Sequence, residues 1–221
     1  MVDFATARRK MVDNQVRTSD VTSYPVLDAM GEVPREAFVP AEQRPLAYID
    51  EDLPLNANTA GDRFLMEPAL FAKLIQSAAI EADDVVLVIG CGTGYSAAVI
   101  ARMASSVVAL ESDPGLAATG SDILLDLGID NVAVVTGPLT EGWKAEGPYD
   151  AIVVEGAVEV LPHGLFEQLK DGGRLVVVEG YGLSGMAKVY TRTGVGISGR
   201  ATFNASVKPL PGFAKSPEFV F

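Results

Sequence analysis

From Asp83 onward, short apolar runs alternate with helical stretches along this chain. Runs at 85–89, 106–111, 132–136, 150–154 and 174–179 predict strands, and stretches at 95–103, 114–127 and 163–169 predict helices. The first run, Val85–Ile89, is short, β-branched and followed at once by glycine, the pattern of a buried parallel strand. Such alternation calls for a parallel sheet with right-handed crossovers. Gly172-Gly173 predicts the turn into the last of these strands. The tail has a different pattern: 187–192 and 199–207 flank the glycine-rich TGVGISG and predict an antiparallel hairpin. Pro209, Pro211 and Pro217 then exclude regular structure. Ahead of Asp83, 4–17 reads as helical with Phe4, Met11 and Val16 inward, and Asp20 or Thr22 is placed to cap a helix over 26–30. The proline-bracketed VPREAFVP (33–40) is a connector, irregular chain continues through 46–48 and 52–54, and the polar 56–62 predicts an exposed loop. Residues 67–79 predict a helix with Pro68 in its first turn and Leu70, Phe71, Leu74 and Ile75 on one face. The expected fold class is α/β: a mostly parallel, Rossmann-like sheet with an antiparallel C-terminal addition and a helical N-terminal extension. Residues 1–80 form the extension and 81–221 the core, packed as one compact unit.

The first strand runs into Gly90, Gly92 and Gly94, a turn in which backbone approaches a ligand without Cβ clashes. A dinucleotide fingerprint would put its third glycine at Tyr95. The G-x-G-x-G spacing resembles that of S-adenosylmethionine (SAM) methyltransferases. The second strand ends at Glu111, about 20 residues past the first glycine, where a carboxylate accepts from ribose hydroxyls; the alternative is a cap for the helix near Pro114.

Composition narrows the field. A net charge of −12 disfavours a nucleic-acid binder, whose affinity rests on Lys and Arg. The single cysteine, Cys91, precludes an intrachain disulfide, and the single histidine, His163, leaves no His-rich metal site. The first residues lack the apolar core of a signal peptide and no run reaches membrane-span length. The expectation is a soluble cytoplasmic protein with no metal and no membrane or nucleic-acid partner.

Several pieces together resemble the protein-L-isoaspartate O-methyltransferases. They are VPREAFVP (33–40), LAY (46–48), DLPL (52–55), VVLVIGCGTGYSAAV (85–99), LGIDNV (127–132), GW (142–143), PYDAIVV (148–154) and LKDGGRLV (169–176). The resemblance spans residues 8–180 and implies the SAM-dependent methyltransferase fold. It also implies transfer of the SAM methyl to the α-carboxyl of an isoaspartyl residue in a damaged protein. The resulting ester collapses to a succinimide, which is the repair step. The acceptor is a protein or peptide carboxylate. It is ionised at neutral pH, so catalysis rests on alignment rather than on a strong base.

The resemblance assigns SAM to Gly90, Cys91, Gly92, Gly94, Tyr95, Glu111, Gly137 and Pro138, and the strand-end rule adds Glu155. It makes 62–68 part of the acceptor pocket, with Arg63, Met66 and Glu67 as the candidate catalytic residues. Aligning the family's Thr-Ile-Ser-x-Pro on Pro68 puts Phe64, Leu65 and Met66 at the first three places. Val88 stands at the family's first-strand acid, and Gly137-Pro138-Leu139 at its Gly-Asp-Gly. Arg63 could supply a bidentate carboxylate contact in place of the missing hydroxyls; the alternative is a surface arginine. Cys91 reads as a small filler, His163 as a surface or cap residue, and Tyr95 as either core or cofactor contact. The competing functions are a SAM-binding paralogue with another acceptor, a non-catalytic binding protein on the same fold, and an NAD dehydrogenase.

Overall fold

The computed structural model describes residues 3–55 and 63–215; the loop expected at 56–62 and the apolar end at 219–221 lie outside them. The chain opens with α1 (Phe4–Met11), capped by Asp3, whose carboxylate accepts from the Thr6 amide. The expected helix to residue 17 continues as a wider π turn, Val12–Val16, and a 3₁₀ turn, Arg17–Ser19. α2 spans Tyr24–Glu32 with Ser23 at its N-cap position, so neither Asp20 nor Thr22 caps it: Asp20 has φ 63° and closes the preceding turn. A two-residue ladder joins β1 (Leu53–Pro54) to β2 (Phe64–Leu65), and α3 (Pro68–Ala78) follows. α3 begins at a proline, and its first free amides are met from outside: Asp52 accepts from Glu67 N and Asp50 from Ala69 N.

The core elements follow in order: β3 (Val85–Ile89), α4 (Tyr95–Ala101), β4 (Ser106–Glu111), α5 (Pro114–Asp126), β5 (Val132–Thr136), β6 (Tyr149–Val158), α6 (His163–Phe166), β7 (Leu169–Glu179), β8 (Met186–Thr193) and β9 (Gly196–Asn204). The sheet order is β5-β4-β3-β6-β7-β8-β9, parallel from β5 to β7 and antiparallel for the last two strands. Side chains alternate across β3. Val86 and Val88 pack with the helices α2 to α4, while Leu87 and Ile89 join Ile152, Val154, Leu165 and Leu175 on the other face.

Four expected boundaries shift. β6 does not stop at 154: it passes through a bulge, with Val153 opposite Val176 and Ala157 opposite Val178, and runs to Val158. β7 starts at Leu169, so Gly172-Gly173 lies inside an irregular strand rather than in a separate turn. The helix expected at 163–169 is a single turn because Leu169 pairs with Tyr149 as a strand residue. β9 ends at Asn204, since the chain beyond it leaves the sheet. That tail crosses from one face to the other. Ala205 and Val207 pack on the helix-covered face, and Leu210 and Phe213 pack on the opposite one.

Candidate cofactor and acceptor site

In the parallel part of the sheet the chain winds from β3 outward to β5, then returns to place β6 on the other side of β3. This is the switch point at which an α/β sheet opens a crevice at its carboxyl ends. Gly90, Gly92 and Gly94 lie there with φ of 84°, 57° and 93°, which favour glycine. The turn is held by Gly90 N and Cys91 N donating to Leu110 O, by Gly94 N donating to Cys91 O, and by Thr93 Oγ1 donating to Phe38 O. α4 then starts under the turn with all seven residues buried.

Glu111, at the end of β4, is fully buried. Its Oε2 accepts from Gly92 N at 2.7 Å and from Arg63 Nη2 at 2.8 Å. Its Oε1 accepts from Ser112 N at 2.8 Å and Asp113 N at 3.1 Å. The helix cap read as an alternative for Glu111 belongs to Asp113, which accepts from Gly115 N and Leu116 N at the start of α5. Arg63 is not a surface arginine: it is 5% exposed and also donates to Gly90 O at 2.7 Å. Sequence spacing hid this placement because the contact spans 48 residues.

Hydrophobic side chains fill the remaining space over the glycine turn. A Cβ on Gly92 would stand 2.5 Å from Leu55 Cδ1, and one on Gly90 would stand 2.7 Å from Leu210 Cδ1 and 3.0 Å from Arg63 Nη2. In this arrangement Leu55, Arg63 and Leu210 lie against the backbone of the glycine turn. Glu111 turns no oxygen to solvent, and Leu210 lies on the backbone a ligand would approach. Gly137 sits beside Glu111, its amide donating to Glu111 O, with the Trp143 ring against its Cα side. Pro138 opens instead onto a surface cleft with Thr140, Trp143 and Lys144.

Of the residues expected on the acceptor side, Arg63 and Met66 line a smaller space and Glu67 does not. Asp52, Arg63, Met66, Glu155 and Lys208 line a cavity of about 20 Å³, room for about one water. Glu155 lies in the β6 bulge, partly buried, and its carboxyl is pushed up to about 7 by burial, with Ser96, Arg63 and Arg35 opposing the shift. Glu67 is the N-cap residue of α3, and its carboxyl is pushed up to about 7 by burial and by Asp52, Asp50 and Glu51. Burial also raises the Asp52 carboxyl.

Arg35, absent from the sequence reading of the site, is fully buried and pins it together. It donates to Ala47 O at 2.8 Å and Met66 O at 2.7 Å, and its guanidinium stacks 4.9 Å from the Tyr95 ring centre. The available signal was a charged residue inside the otherwise apolar, proline-bracketed 33–40. Tyr95 itself packs between Phe38 and Phe71 in the core. Cys91 is buried, and burial with the charges of Glu111 and Glu155 holds its thiol well above the ordinary range, which fits a filler. His163 is exposed and faces Glu167. Among the described residues no cluster of His, Cys, Asp or Glu could hold a metal ion, and no helix is long and apolar enough to cross a membrane.

The model of a family described as protein-L-isoaspartate(D-aspartate) O-methyltransferase matches residues 6–203. The chain is 41% identical over 175 residues to protein-L-isoaspartate O-methyltransferase 2 of Anaeromyxobacter sp. (strain Fw109-5), covering 79% of this chain and 70% of that one. It is 39% identical over 201 residues to the protein-L-isoaspartate O-methyltransferase of Gloeobacter violaceus, covering 90% of this chain and 96% of the relative. A solved protein-L-isoaspartate O-methyltransferase superposes with a TM-score of 0.81 at 28% identity over 93% of this chain, which spans 66% of the solved one. A Plasmodium falciparum chain solved with S-adenosyl-L-homocysteine shares the fold, with a TM-score of 0.76 at 19% identity, over 92% of this chain and 97% of its own.

Proposed function

Because the chain belongs to the protein-L-isoaspartate O-methyltransferase family, we propose that it is a SAM-dependent protein carboxyl O-methyltransferase that methylates isoaspartyl residues in damaged proteins. SAM is the cofactor of this chemistry and supplies the methyl group. The observation that carries the function is the family match from residue 6 to residue 203, which takes in the glycine turn, Glu111 and the 62–68 segment alike. The acceptor carboxylate is already ionised at neutral pH, so the protein's task is to bind and orient it.

Residues 62–68 supply the acceptor side, with Arg63, Met66 and Glu67 as candidates. Arg63 and Lys208 are the cations lining that cavity. Phe64, Leu65 and Met66 stand where the family's hydroxyl segment is expected, which leaves cationic groups to recognise the carboxylate. Glu155, with its carboxyl raised, limits the negative charge facing an anionic acceptor below neutral pH. Gly90, Gly92, Gly94 and Glu111 make up the cofactor side once the crevice is open.

The test is transfer of labelled methyl from SAM to an isoaspartyl peptide, with the aspartyl twin as control. Selective, base-labile labelling of the isoaspartyl peptide is the expected result. SAM binding without labelling of either peptide, alongside an active family enzyme, refutes isoaspartyl activity.

A further inference from the structure

We propose that this chain carries its own plug for the SAM crevice: residues 207–213, with Leu210 as the stopper and Arg63 as the latch, hold a closed state that the cofactor must open. The inference rests on reading the crevice as the SAM site.

Leu210 occupies the switch point itself. It is 2% exposed and lies between the glycine that ends β3 and the glycine of the β6 bulge. A Cβ on Gly90 would stand 2.7 Å from Leu210 Cδ1, and a Cβ on Gly156 would stand 2.8 Å from Leu210 Cβ. Gly156 has φ 149°, so both glycines leave room for the same leucine. A leucine seated on the bare backbone of a glycine turn takes the approach that such a turn otherwise keeps for a ligand.

The strap around Leu210 is docked rather than woven into the sheet. Ala157 N donates to Lys208 O and Leu210 N to Ala157 O, both at 2.9 Å, forming a single bridge at Pro209. Farther on, Glu159 N and Val160 N donate to Phe213 O, and Lys215 N donates to Glu159 Oε2. Pro209 and Pro211 lack amides and prevent a continuous ladder. The strap lies beyond the family match, which ends at residue 203.

Arg63 closes the other side. Its Nη2 reaches both Glu111 Oε2 and Gly90 O, so the carboxylate expected to meet the ribose is held by a side chain from the acceptor segment. Releasing the strap and the latch would expose the glycine turn and Glu111, and would remodel the acceptor cavity, whose wall the strap supplies through Val207, Lys208 and Pro209. SAM binding would then gate the acceptor site.

A state open about 1–10% of the time weakens apparent affinity about 10- to 100-fold relative to an unplugged protein. The experiment compares SAM binding by calorimetry for the full chain, Leu210→Ala and Arg63→Gln, with methyl transfer to an isoaspartyl peptide run on each. It also follows amide exchange of the unmodified chain with and without saturating SAM. Both variants are expected to bind SAM about tenfold tighter or more, and SAM is expected to speed exchange at Ala157 and Leu210. Equal affinity in all three proteins with unchanged exchange overturns the plug, and leaves the enzyme reading intact if methyl is transferred. No SAM binding by any of the three also overturns it. Tighter binding by the variants, with no methyl transfer by the full chain or by Leu210→Ala, supports the plug and refutes isoaspartyl activity instead. If Leu210→Ala fails to fold, Arg63→Gln and the exchange experiment decide the question.

Discussion

Glu155 lies in the β6 bulge and lines a cavity with Arg63 and Lys208, and its titration should be visible in stability. Its carboxyl has a folded-state value near 7 against an ordinary 4.5, chiefly because burial penalises the charge. The native state therefore holds a proton that the unfolded state releases between these values. The stabilisation is fully present below about pH 4.5, is lost as pH rises to about 7, and changes no further above that. Glu155→Gln should remove this dependence and leave the protein about 1–3 kcal/mol more stable than the parent at pH 8, measured by urea unfolding across pH 4–8. Glu67 titrates in the same window and keeps part of the slope in the variant. A variant that tracks the parent at every pH would show that Glu155 is ionised in the folded protein. At this scale the sequence carried only half of the arrangement around the glycine turn. Glu111 was legible because strand end and spacing fix its place along the chain. Its partner Arg63 was not, because an ion pair across 48 residues is decided by how the acceptor segment folds back over the sheet. Leu55 and Leu210 read as ordinary apolar residues for the same reason.

Helix ends make the best-defined predictions among the elements. Asp113 precedes Pro114 and accepts from Gly115 N at 2.8 Å and Leu116 N at 3.1 Å, meeting two of α5's free amides. Asp113→Ala should cost about 1 kcal/mol, seen as a lower urea midpoint with an unchanged slope, and Asp113→Asn should recover most of it. A loss well under half that size would mean that water replaces the cap at no cost. Elements whose pattern is local were legible. β3, β4 and β5 fall at the bounds the apolar runs predict, and Pro68 starts α3 as expected. Elements whose extent is set by a neighbour were not. β6 runs past its apolar run because Ala157 and Val158 pair with β7 beyond the bulge. The predicted helix after Pro162 shortens to one turn because Leu169 is needed opposite Tyr149. The hairpin of β8 and β9 was foreseen, but its second strand sits earlier because the chain after Asn204 leaves the sheet to cross its carboxyl edge. Prolines in the tail forbid a strand or helix without saying where an irregular segment docks.

The whole molecule carries a net charge of −12 while its proposed substrate is itself a carboxylate. Arg63 is paired with Glu111, and Lys208 is the exposed cation at the acceptor cavity, so local attraction works against a repulsive overall field. A charged field of this size acts on encounter more than on the chemical step. Isoaspartyl peptides flanked by lysines should therefore be methylated with a higher kcat/KM than peptides flanked by glutamates, about tenfold at low salt. The difference should lie in KM rather than kcat, because the flanks are not held at the reacting carboxylate. It should also shrink as salt rises, since the screening length falls from about 10 Å at 0.1 M to about 3 Å at 1 M. Initial rates on two matched peptides, at 20 mM and 500 mM added salt, separate the cases. A ratio near one at low salt would mean that the local cation at Lys208 offsets the field of the rest. A ratio that persists at high salt would place the discrimination in direct contacts, and Lys208→Ala should then alter it for both peptides.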